Sequence, residues 1–420
     1  MTTQDHAIIA AEVAQLYRAH LGVGRARIGE MVGGQVEVES EGAWITTSDG
    51  ERYFNAGGYG VFIMGSRHPR VLAEVERQLH THPVGSRMFL EPAAARAAQL
   101  LTSVTPPGLD RVHFSGSGAE ATEAAIKIAR LSGHHRLISM HGGYHGKTIG
   151  ALSVTAKELY QKPFQPLLPE VTHIPYDDTT ALAAELERYG ETACVIVEPV
   201  QGEAGVIIPA GGYLSTVRAL CTEYGAMLVV DEIQTGLGRL GAWWGCDQEQ
   251  VVPDILLSGK ALGGGIMPVA ATIATSESFA LLERDPFLHT STFSAAPLAM
   301  AAVSGAIAAI EEDDLTGRAA VLGLELATEI EAIAFRHFGS RVREVRARGL
   351  LIGIELTEPG MAGALLIDLV NNNVIANFSL NSTTVLRLTP PAIMTPDDVE
   401  FLLDRFERAA RTTAEYFLER

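Results

Sequence analysis

Short apolar runs rich in β-branched residues recur through the middle of the chain, with segments of helical spacing between them. RVHF (111–114), RLISM (136–140), ACVIVEP (193–199), MLVVDE (227–232), DILLS (254–258) and VAATIAT (269–275) have the length and texture of buried strands. The connecting stretch AEATEAAIKIAR (119–130) has the spacing of a helix. Continuously apolar strands alternating with helices predict a mainly parallel sheet covered on both faces.

After about residue 300 the pattern changes. An Ala-rich helical stretch (298–312) and a second helix precede strands around LLIGIEL (350–356) and VLRLTPP (385–391). The last helix is announced by Thr395 as N-cap, Pro396 at the first helical position and Asp397, Asp398 and Glu400 in the first turn. The expected organisation is an N-terminal segment (1–55) joining a small domain, a large domain (56–310) and a C-terminal small α+β domain (311–420). Neither an internal repeat nor a low-complexity tract interrupts it.

Composition narrows the function. Against 50 Asp+Glu stand 32 Lys+Arg, a formal charge of -18 that disfavours nucleic acid and anionic membrane as partners. Cys194, Cys221 and Cys246 are odd in number and lack CxxC spacing, so neither a disulfide framework nor a metal site is expected. The first residues carry Asp5 and Glu12 within a helical pattern of Ile9, Val13, Leu16 and Tyr17, unlike a signal peptide. No apolar run approaches the roughly 20 residues of a membrane span. The expectation is a cytoplasmic small-molecule enzyme.

Several glycine-rich stretches invite functional readings. FSGSGAEA (114–121) satisfies the dinucleotide pattern GxGxxA, but the next strand ends in SMHGGYHG with no acid to hold a ribose. A site for one phosphate group remains. GGYHGKT (142–148) ends like a P-loop, yet His141 stands where that motif needs its first glycine. Tyr144 and His145 are left in a loop after a strand. MLVVDEIQTGLGR (227–239) places Asp231 at a strand end, where open α/β sheets hold ligands. Its carboxylate needs a cation or donor, either an arginine such as Arg239 or a protonated ring nitrogen. LLSGKALGGG (256–265) sets Lys260 among glycines after an apolar run, as a surface lysine or a reactive one.

One cofactor uses all these pieces. Pyridoxal phosphate needs a lysine for a Schiff base, an acid at its pyridinium nitrogen, an aromatic plane on its ring and an N–H nest for its phosphate. Lys260, Asp231, Tyr144 and Ser117-Gly118-Ala119 fill these roles in turn.

At this point the chain resembles the class III aminotransferases of fold type I, from about residue 45 to 410. The resemblance is carried by SGAEATEAAIKIAR, YHGKTIGAL, EPVQGEAGVIIP, DEIQTGLGRLG, GKALGGG, STF with PLA close behind, and VLRLTPP. YHGKTIGALSVTAKELYQKPFQPLLPEV and PDILLSGKALGGGIMPVAATIAT are most similar to putrescine (diamine) aminotransferases. The resemblance implies a seven-stranded large domain, Gln234 on the cofactor's ring hydroxyl, and Ile233 on the ring face opposite Tyr144. It also implies Glu198 and Gln201 beside the cofactor, and Thr292 on the phosphate of a neighbouring subunit in a homodimer with shared active sites. Arg387 would take the carboxylate of glutamate or 2-oxoglutarate, and Glu203 would neutralise that arginine when an amine without a carboxylate binds.

Two departures qualify it. Lys147 stands where 4-aminobutyrate, ornithine and acetylornithine aminotransferases usually carry an arginine, and a lysine lacks the planar fork that grips a carboxylate. SAAPLA (294–299) replaces the usual GGNPLA, so Ser294, Ala295 and Ala296 add side chains to a loop expected at the dimer interface. The expected activity is transfer of an amino group from a terminal amine, such as putrescine or cadaverine, to 2-oxoglutarate. An ornithine-type transferase, an aminomutase or racemase of the same fold, and a silent cofactor-binding protein are the alternatives.

Overall fold

The computed structural model describes residues 3–418. Three antiparallel strands, β1 (Glu37–Glu41), β2 (Trp44–Thr47) and β3 (Arg52–Asn55), follow the first helices. The large sheet then collects β4 (Leu109–Ser115), β5 (Arg136–Met140), β6 (Val171–Ile174), β7 (Ala193–Val197), β8 (Met227–Asp231), β9 (Ile255–Ser258) and β10 (Ala270–Thr275). Its spatial order is β4-β10-β9-β8-β7-β5-β6, and β10 runs antiparallel to both neighbours. The remaining pairs are parallel. The sheet is mainly parallel, as the apolar runs predict, and has the seven strands that the resemblance implies. β7 and β8 are buried at every position, because helices cover both faces. β6 was not foreseen: VTHI is a half-buried edge strand whose polar residues hide the pattern.

A second sheet gathers β11 (Val342–Arg348), β12 (Leu351–Leu356), β14 (Asn377–Phe378) and β15 (Val385–Leu388) in the order β11-β12-β15-β14. Between its strands, β13 (Val374–Ile375) pairs in parallel with β3 and ties the beginning of the chain to its end. The last helix, Pro396–Leu418, starts as its sequence predicts. The Asp398 N–H donates to Thr395 Oγ1 (3.2 Å) and the Thr395 N–H returns to Asp398 Oδ2 (2.9 Å), a reciprocal cap. Among the described residues no helix is long and apolar enough to cross a membrane.

Candidate active site

The site lies at the carboxyl ends of the large-sheet strands, where loops leave the sheet and open a crevice. Asp231 closes β8 and is 3% exposed. Its Oδ2 lies 2.7 Å from His145 Nδ1, and its Oδ1 accepts from the Ile233 N–H (3.1 Å). Burial opposes charge on His145, but the hydrogen bond and charge of Asp231 outweigh it and raise the imidazole pKa. His145 therefore holds Asp231 by a charge-assisted hydrogen bond. Arg239, the alternative partner for Asp231, is buried elsewhere and donates to the Leu350 and Pro390 carbonyls.

Lys260 follows β9, which pairs with β8 so that Asp231 aligns with Leu257. The lysine backbone has φ +46° and opens a short helical turn, Lys260–Gly263, bounded by Gly259 and Gly264. Burial pushes its amine down to about 8, against the opposing pull of Glu203. It shares a cleft of about 280 Å³ with Gly116, Ser117 and Gly118. Ser117 caps the helix Gly118–Leu131, and its Oγ accepts from the Glu120 N–H (3.3 Å). The first turn of that helix, including Ala119, offers backbone donors to an anion.

Ile233 forms a wall. A Cβ at Gly118 would stand 2.8 Å from Ile233 Cδ1, so only glycine lets the helix start meet this side chain. Tyr144 is half-buried, and its N–H donates to Glu198 Oε2 (3.0 Å). Burial pushes the Glu198 carboxyl up to about 7. Gly146, at φ +121°, allows this loop to touch the helix start: a Cβ there would stand 2.6 Å from Ala119 Cβ. Gln201 Nε2 donates to the His141 carbonyl (3.0 Å) and steadies the same loop.

Arg387 is fully buried on β15, an interior strand of the second sheet, with Nη2 2.8 Å from Glu203 Oε1. Gln234 lies against this pair, its Oε1 3.4 Å from Arg387 Nη1 and its Nε2 3.5 Å from Glu203 Oε1. A Cβ on Gly202 would overlap the Gln234 amide at 1.4 Å. Lys147 is exposed, with Nζ 3.9 Å from the centroid of the Tyr160 ring and 5.9 Å from that of Tyr144.

Thr292 is set apart from Lys260. It is exposed in a shallow cleft with Arg87 and Phe89, and its carbonyl accepts from Arg87 Nη1 (3.0 Å). Arg87 also bonds the Ser291 and Ser294 carbonyls. Ser294 Oγ donates to the Phe114 carbonyl (2.6 Å), and Ala295 adopts φ +54°. Sequence reading missed Arg87, Tyr160 and Asn381: Arg87 and Asn381 lie outside every stretch that carries the resemblance, and Tyr160 lies inside one without a role assigned to it.

The residues fit pyridoxal phosphate. A depressed amine and a helix start share one cleft, Ile233 packs against that helix start, and a buried carboxylate backed by histidine ends the neighbouring strand. The family model for aminotransferase class-III matches residues 30–410. Ornithine aminotransferase from Toxoplasma gondii is 30% identical over 91% of both chains, with a TM-score of 0.85. An (S)-enantioselective omega-transaminase from Thermomicrobium roseum is 26% identical over 96% of this chain and 99% of that one, with a TM-score of 0.88. The chain belongs to the class III aminotransferases, enzymes that work with pyridoxal phosphate.

Proposed function

We propose that this aminotransferase takes the amino group of a terminal amine and delivers it to a dicarboxylic keto acid such as 2-oxoglutarate. The observation that carries this reading is the buried Arg387–Glu203 pair. A guanidinium holds a carboxylate well but repels an ammonium when left unpaired. An adjacent carboxylate lets one pocket serve both half-reactions, with Glu203 paired to Arg387 for the amine and displaced for the keto acid.

Bound pyridoxal phosphate supplies an electron-accepting ring that stabilises negative charge at the donor carbon. The protein's residues do the rest. Asp231 keeps a proton on the ring nitrogen, and His145 holds that carboxylate in place. Lys260 Nζ, with its pKa depressed, holds the cofactor and moves the proton from the donor carbon. Ser117, Gly118 and Ala119 receive the phosphate. Ile233 and Tyr144 would flank the ring, and Gln234 would bond the ring hydroxyl.

For the donor we favour a diamine, putrescine or cadaverine. Tyr144 offers an aromatic face to an alkylammonium, and Glu203 lies near enough to raise its phenol pKa, after burial itself. An ornithine-type donor is the second reading, favoured by the likeness to the Toxoplasma gondii enzyme. The protein acts as a homodimer in this proposal, with Thr292 reaching the partner's phosphate. Met88, Phe89 and Leu90, each at least 84% exposed, supply apolar surface for that contact.

The test is a single turnover without keto acid. Cofactor-loaded protein mixed with putrescine should convert to the pyridoxamine form, read from its visible absorbance. Conversion by ornithine but not putrescine replaces the donor, and conversion by neither ornithine, putrescine nor glutamate overturns the reading.

A further inference from the structure

Between β14 and β15 the chain crosses toward the large domain as a short strap, residues 379–382. Its contacts there are dense. The Leu380 N–H donates to Glu203 Oε2 (2.9 Å), and the Asn381 N–H donates to the Glu203 carbonyl (2.8 Å). Asn381 Nδ2 donates to the Gly142 carbonyl (2.8 Å), in the loop that carries Tyr144. From the other side, Tyr160 OH donates to the Leu380 carbonyl and Lys157 Nζ to the Asn381 carbonyl, at 2.8 and 2.9 Å.

These bonds concern the two oxygens of one carboxylate. Glu203 Oε1 faces Arg387, while Oε2 is held by the Leu380 amide. A substrate carboxylate that displaces Oε1 must rotate or withdraw the group, which strains or breaks the bond at Oε2. A firmly anchored strap stabilises the paired arrangement, and a loosened strap releases Arg387 more readily. Tyr160 and Asn381 touch neither Arg387 nor Glu203 through their side chains, but both fix the strap that does.

We propose that residues 379–382 form a latch on Glu203, with Tyr160 and Asn381 as positioning residues that set how readily Arg387 accepts a substrate carboxylate. The inference rests on the proposed exchange of partners at Arg387. In the enzyme, the latch tunes the balance between amine and dicarboxylate.

The experiment is the glutamate half-reaction of cofactor-loaded enzyme, with the saturation constant and the maximal rate measured separately. Tyr160→Phe removes one hydroxyl and keeps the ring; Asn381→Ala removes the side-chain tie to Gly142. Each should lower the glutamate saturation constant about three- to tenfold while the maximal rate stays within about twofold, the size expected for weakening one support of a charged hydrogen bond. An unchanged or raised constant in Tyr160→Phe, or a loss confined to maximal rate, overturns the latch. Should Asn381→Ala fail to fold, Tyr160→Phe decides alone. Glu203→Gln separates the two levels: a lowered constant there, with no change in Tyr160→Phe, removes the latch and leaves the exchange. If Glu203→Gln leaves the constant unchanged, or glutamate converts none of the parent enzyme, the exchange fails and the latch with it.

Discussion

The centre around Lys260 and the pair around Arg387 are both buried and charged, yet they are built differently. Asp231 and Lys260 stand at the ends of adjacent strands of one sheet, and their separation is governed by a ladder of parallel hydrogen bonds. Arg387 comes from an interior strand of the second sheet, whereas Glu203 and Gln234 come from loops of the large domain. The first arrangement suits chemistry, which needs reacting groups held still. The second crosses between two sheets and is closed by a short strap, which suits the exchange of partners proposed for it.

The contrast can be broken most decisively at its rigid end. Lys260→Ala should reduce turnover by at least about 10³-fold, because both the attachment of cofactor and the proton transfer depend on one amine. Steady-state assay together with the visible spectrum of the purified variant checks this. Near-normal turnover would show that the centre has been misplaced.

At the exchangeable end the effect should be selective. Arg387→Lys keeps the charge but loses the planar fork, so the saturation constant for glutamate should rise about 10- to 100-fold. The putrescine half-reaction should stay within about threefold by the same argument, since that amine has no carboxylate to lose. Equal damage to both half-reactions would mean that Arg387 is structural, as a buried partner of Glu203.

A third test reads the buried amine without cofactor. The folded pKa of Lys260 lies near 8 against an ordinary 10.5, so the unfolded chain binds more protons between those values and stability rises with pH across that window. Its destabilising effect is fully present below pH 8. Apo Lys260→Met should be a few kcal/mol more stable than apo wild type at pH 7, with the gap closing as pH rises from about 8 to 10.5. Denaturant unfolding at several pH values measures it, and a gap independent of pH would sink the assignment.

The smallest expected effect belongs to the rim shared by neither pair. Ala295 adopts φ +54°, where a Cβ is strained. Ala295→Gly should stabilise the protein by up to about 1 kcal/mol, the relief of strain less the added freedom of glycine in the unfolded chain. Loss of stability would show that the alanine methyl is packed to advantage.

Legibility followed the same division. Strands with continuous apolar runs were readable, because burial on both faces leaves no polar position to confuse the pattern. β6 was not, since VTHI sits at a sheet edge and alternates too weakly. The Lys260 and Asp231 roles could be argued from strand ends and residue types, while Asn381 and Arg87 stand in places with no local signature and Tyr160 is one polar residue inside a longer recognised stretch. Arg239 illustrates the limit: its charge and nearness in sequence made it a plausible partner for Asp231, and only the fold shows it spent on the Leu350 and Pro390 carbonyls.

By itself, then, the sequence determined what depends on near neighbours: the continuously apolar strands and their order along the chain, the capped last helix, the lysine and acid at strand ends, and the glycines proposed to open a phosphate nest. These are local because backbone geometry and apolar periodicity act over a few residues. Tertiary structure alone decided that His145 would bond Asp231, that Gln234 would lie against Arg387, and that residues 379–382 would hold Glu203. Such contacts join positions 86, 153 and 177 residues apart. Their partners are chosen by the packing of sheets and loops, which no short stretch of chain encodes.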